Sequence, residues 1–73
     1  MLIQNIRRRV QDIATMAMLG DHEAAHARED SLRHDFLKYV EICVEEKKWD
    51  PDMRAKVAAV LGTSHIRFNR YCA

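Results

Sequence analysis

Punctuation is scarce in this chain: 73 residues contain two glycines, one proline and one tryptophan. Gly20, Pro51 and Gly62 are the only strong breakers, so the segments between them run long. Cysteine is scarce too. Cys43 and Cys72 make no disulfide scaffold, and without a secretion signal reduced thiols in a cytosol are the expectation. No stretch approaches the roughly 20 apolar residues that a membrane span needs. The opening residues, MLIQNIRRRV, carry no continuous apolar run of the kind a secretory leader has. The expected compartment is therefore the cytoplasm. A strong charge of one sign is also missing: the net charge is +1, far from the basic excess of a dedicated nucleic-acid binder.

A chain of this length makes one domain, 1–73, and buries only about 60% of the surface its unfolded form exposes. Such a core is marginal, and dimerisation is the simplest remedy. The charge is unevenly placed. Arg7, Arg8 and Arg9 face one acid, Asp12, in residues 1–20, and ten acids stand against five bases in residues 21–52. Residues 53–73 carry Arg54, Lys56, Arg67 and Arg70 and no acid. Basic ends packed beside an acidic middle explain this pattern, with at least one of the three consecutive arginines facing the middle segment. The alternative, a basic surface for nucleic acid, needs these side chains gathered on one face.

Apolar residues at spacings of three and four (Leu2, Ile6, Val10, Ile13, Ala17) predict a first helix over 2–19, ended by Gly20. Asp21 caps a second helix running to about residue 47, on the order of 39 Å long at 1.5 Å per residue. Asp50 as N-cap and Pro51 at the first position start a third, over 51–61, with Met53, Val57, Val60 and Leu61 inward and Gly62 as its stop. Thr63 or Ser64 caps a last short turn, from which Ile66, Phe68 and Tyr71 fold back onto the core. No strand-like alternation or repeat is present. The fold class is all-α: a three-helix bundle with a long central helix and a short C-terminal helical segment. Met1, Met16, Met18 and Met53 read as core filler. Trp49, Phe68 and Tyr71 read as lids on the core; exposed aromatics would instead mark a partner site.

Chemistry concentrates on the second helix. Its apolar stripe is Ala25, Leu32, Phe36, Val40 and Cys43, and Glu29 falls inside it with His26 and Arg33 on its flanks. A carboxylate in a core stripe is costly unless paired. The expectation is a structural polar network of His26, Glu29 and Arg33, completed if needed by an arginine of the first helix. The catalytic alternative uses His26, Glu29 and Asp30 for acid/base or metal-assisted work at a dimer interface. His22 and His26, four apart, could share a metal ion, but further ligands would have to come from His65 or a second subunit. No metal or other cofactor is expected. Leu37 and the strip of Val40, Cys43 and Val44 need a cover that the short flanking helices do not provide, so a homodimer is expected.

Two blocks resemble a known group. Ala25-His26-Ala27-Arg28-Glu29-Asp30-Ser31-Leu32 resembles the Ala-His-x-x-Glu-Asp-x-Leu element of small proteins of tailed bacteriophages and prophages. Ile66-Arg67-Phe68-Asn69-Arg70-Tyr71-Cys72-Ala73 is similar to the aromatic-Cys-Ala ending of the same proteins, where the aromatic is often tryptophan and here is Tyr71. The resemblance implies a phage or prophage origin and action in the host cytoplasm. It brings no activity with it. By analogy with small accessory phage genes, it implies binding to a host protein and disabling it. Arg67, Arg70 and Tyr71 are the partner-binding candidates. An acid/base enzyme is the second reading and a nucleic-acid-binding module the third.

Overall fold

A computed structural model describes residues 1–70. Three helices follow one another: α1 (Ile3–Met18), α2 (His22–Glu45) and α3 (Met53–Leu61), and a 3-10 turn then spans Gly62–His65. There is no strand among the described residues. The chain is all-α, and its three helices pack together, α1 along α2 and α3 mainly against α1. Tyr71 and Cys72 lie outside the described residues.

The corner between α1 and α2 forms as the glycine dictates. Gly20 takes a left-handed φ of 79°, which costs glycine nothing. Its N–H donates to Ala17 O at 3.1 Å, and the Asp21 N–H donates to Met16 O at 2.9 Å. These two bonds are the Schellman ending of a helix. Asp21 then caps α2, its carboxylate accepting from the Ala24 N–H at 3.1 Å. The far end of α2 uses the same ending without a glycine. Lys47 has a φ of 55°, and the Lys48 N–H reaches Cys43 O at 2.9 Å. The helix therefore stops at Glu45, earlier than the absence of a breaker before Pro51 suggests. At 24 residues it is about 36 Å long, nearly the 40 Å long dimension of the molecule.

The core is narrow. Ile6 and Ile13 of α1 meet Ala25, Leu32 and Phe36 of α2 and Val60 of α3, all buried. Each of the five large ones contributes about 1.5–3 kcal/mol by leaving water, and with Ala25 they make a slender total. Met1, Val10, Met16, Ala17, Val40, Met53, Ile66 and Phe68 pack around them, half-buried.

Three sequence expectations need correction. Met18 and Trp49 are not core residues: they are 85% and 86% exposed. In α3 the inward positions are Met53, Lys56 and Val60, while Val57 and Leu61 face outward. The helix settles this way because a partner for the Lys56 ammonium waits inside, as described below. The third is the start of α3: Asp50 and Pro51 lie in the turn before it, Asp52 is its N-cap and the helix begins at Met53, whereas its end comes as expected at Gly62. Gly62 has a φ of −60°, and the chain tightens into the 3-10 turn, where Thr63 and Ser64 hydroxyls donate back to Val60 O and Leu61 O, each at 2.9 Å.

Candidate functional site

Two buried polar clusters and one open apolar end are the features of the molecule with chemical content. The first cluster sits midway along α2. Glu29 faces the core and is 4% exposed, so both carboxylate oxygens need partners. Arg70 supplies them: its Nε donates to Oε1 and an Nη to Oε2, each at 2.9 Å. This fork is the strong bidentate geometry of arginine with a carboxylate. The same guanidinium also donates to Thr63 O at 3.0 Å and Ile66 O at 3.2 Å. The Phe68 ring lies 3.9 Å beneath it, a stacked cation–π contact. Arg33 approaches Glu29 only to 3.9 Å and donates to the Thr63 hydroxyl at 3.1 Å.

Burial on its own would raise the Glu29 pKa. The hydrogen bond from Arg70, with help from Thr63 and the nearby guanidinium charges, outweighs it and holds the carboxyl below its ordinary range. Glu29 thus stays ionised with both oxygens held by one buried guanidinium, which suits a structural anchor more than a general base.

The sequence places a histidine and an α1 arginine near Glu29, and the structure sends both elsewhere. His26 Nε2 lies 3.0 Å from Asp30 on the outer side of α2. Its Nδ1 is buried without a hydrogen-bond partner. Arg9 of α1 does reach α2, but at Asp35 (2.9 Å) and Ser31 (3.1 Å). His22 accepts the Asn69 N–H on Nδ1 at 2.8 Å, so His22 and Arg70 together hold residues 66–70 against α2. Among the described residues no group of three or more His, Cys, Asp or Glu could hold a metal ion, and His65 does not complete the His22–His26 pair. Of the partner-binding candidates, Arg67 is exposed, Arg70 is committed to Glu29, and Tyr71 lies outside the described residues.

The second cluster is one that the sequence reading misses. Asp50, in the turn before α3, receives Lys56 Nζ at 2.6 Å on Oδ2. The same oxygen accepts the Tyr39 hydroxyl, and Oδ1 accepts the Asp52 N–H at 2.8 Å. The side chains of Lys56 and Asp50 are 7% and 9% exposed. The Lys56 ammonium also lies 5.1 Å from the centre of the Tyr39 ring. Lys56 first, then Tyr39 and the Asp52 N–H, bring the Asp50 carboxyl down to about 2. Asp50 in turn holds the Tyr39 phenol well above its usual range. The three residues pin the start of α3 to α2. The signal for Lys56 was present in Met53, Lys56, Val60 and Thr63, which share one face at spacings of three and four. Tyr39 gave no signal. With Lys56 and Arg70 committed inward, the four C-terminal bases do not gather on one exposed face.

The open end surrounds Trp49. Its indole stands between two hollows of about 340 Å³ each. Val40, Cys43, Val44 and Met53 line one, and Leu2, Tyr39 and Ile42 line the other. Val44, Leu2 and Ile42 are themselves 71%, 62% and 50% exposed, and Lys48 stands at the rim of both hollows. No helix among the described residues is long and apolar enough to cross a membrane. Set against protein-family models, curated proteins and solved structures, the chain matches none.

Proposed function

We propose that this is a small phage-type accessory protein that works by binding another protein, a host protein being the target, and that it self-associates as a homodimer in the host cytoplasm. The observation that carries the binding reading is the exposed Trp49 with its apolar neighbours Leu2, Ile42 and Val44. Tryptophan is enriched among the few residues that dominate protein–protein binding energy, and a contiguous exposed apolar patch rimmed by charge is characteristic of a contact surface. The Ala25–Leu32 and 66–73 blocks support the phage assignment. The acid/base reading loses support from the engagement of Glu29 by Arg70, and the nucleic-acid reading from the burial of Lys56.

The test compares tagged wild-type protein and Trp49→Ala in pull-downs from a bacterial lysate. Trp49 is too exposed to hold the core, so the variant is expected to melt with the wild type. It is expected to lose the captured protein, an alanine at a binding hot spot costing about 2 kcal/mol or more. Equal recovery by a normally folded Trp49→Ala would remove the Trp49 end as the binding surface.

A further inference from the structure

The order of charges along the outer face of α2 carries a second inference, which deepens the homodimer reading above and rests on it. On this face Leu37 and Val44 are 68% and 71% exposed. A groove of about 380 Å³ adjoins Leu37, walled by Val40, Val57 and Leu61. Beside these apolar residues stand His34, Lys38, Glu41 and Glu45, all exposed. Along this face the base Lys38 precedes the acids Glu41 and Glu45.

We infer that a second copy of the chain docks here, α2 against α2, antiparallel about a two-fold axis near residues 39 and 40. The two-fold brings Lys38 of each helix over the acidic stretch of the other. Lys38 then meets Glu41 of the second copy. Leu37 packs against Val44 of the second copy, which covers both apolar side chains, and each pair occurs twice, as an isologous contact requires. A parallel pairing would instead set Lys38 beside Lys38 and Glu41 beside Glu41. The charge order therefore selects both the partner and its direction, the role that flanking charges play between paired helices. Trp49 lies beyond the end of α2, and its Leu2 and Ile42 side stays uncovered while Val44 goes to the dimer contact, so each dimer presents two Trp49 ends.

Sedimentation equilibrium tests this with single and combined charge reversals. Lys38→Glu places four like charges around the axis, and Glu41→Lys does the same with the opposite sign. Each alone is expected to weaken self-association by about tenfold or more, two attractive pairs having become two repulsive ones. The double variant Lys38→Glu/Glu41→Lys restores both pairs and is expected to dimerise like the wild type. Mixing the two single variants is expected to give a heterodimer, because every contact around the axis then joins an acid of one chain to a base of the other. All these positions are exposed, so any fall in melting temperature should follow the loss of the dimer and be recovered in the double variant. A wild-type monomer at tens of micromolar overturns the inference and the homodimer reading together. A dimer indifferent to both reversals overturns only the α2 pairing and leaves self-association by another surface.

Discussion

Arg70→Ala is expected to destabilise the fold more than Glu29→Ala, although both break the same ion pair. The asymmetry follows from exposure. The Glu29 side chain is 5% exposed and that of Arg70 is 35% exposed. Removing Arg70 strands a carboxylate in the core, with Arg33 at 3.9 Å and the Thr63 hydroxyl left to offset its charge. Breaking a buried pair from one side costs about 3–5 kcal/mol, and the nearby Arg33 places the expected loss toward 3 kcal/mol. Removing Glu29 strands a guanidinium that can turn to water, so about 1–2 kcal/mol is expected. For a domain this small, the Arg70→Ala melting temperature should fall by roughly 10–20 °C. Arg70→Lys should recover part of the loss, because an ammonium cannot make the two-pronged bond. Thermal melts by circular dichroism decide the matter. Glu29→Ala melting below Arg70→Ala would show that Glu29 is supported from elsewhere.

The second large effect is expected at the Asp50 cluster. Asp50→Asn leaves the Lys56 ammonium buried with no counter-charge. Lys56→Met leaves Asp50 holding the Tyr39 hydroxyl and the Asp52 N–H, and lets the new side chain pack against the core. Asp50→Asn is therefore expected to lower the melting temperature by about 10 °C or more, and Lys56→Met by less. The cluster also sets the acid limit of the protein. An aspartate in an unfolded chain titrates near 3.9, whereas Asp50 in the fold titrates near 2. The stabilisation is complete above the unfolded value and is lost as pH falls from about 4 through 2. Glu29, also depressed, adds to the same loss. Melting temperature should drop as pH falls below about 4, and Asp50→Asn should flatten the lower part of that drop. A wild-type melting temperature that holds level to pH 2 would contradict this account.

Much of the bundle was legible in the residue pattern because its determinants are local. Asp21 and Gly20 fix their corner by bonds to residues three to five positions away. Glu29 in the α2 stripe announced a buried carboxylate. The identity of its partner was not legible, because Arg70 lies 41 residues further along the chain and nothing local distinguishes it from Arg67. The face of α3 was misread for the opposite reason. Hydrophobicity alone turns Val57 and Leu61 inward, but an ammonium with an aspartate and a phenol in reach is no longer a polar residue to be expelled. Trp49 was misread because a large aromatic is usually covered. Here the left-handed turn at Lys47 ends α2 and leaves the indole outside.

That exposure has a spectroscopic consequence. Trp49 is the only tryptophan, and it is surrounded by water in the folded chain almost as fully as in an unfolded one. Intrinsic indole emission should therefore barely shift in wavelength when the helices melt, and denaturation followed by tryptophan fluorescence alone would look deceptively flat. The same indole becomes a clean optical reporter of whatever covers it. A blue shift on titration with a protein ligand would register occupation of the Trp49 end, uncontaminated by the folding transition. In this molecule fluorescence reports on encounter, and circular dichroism on integrity.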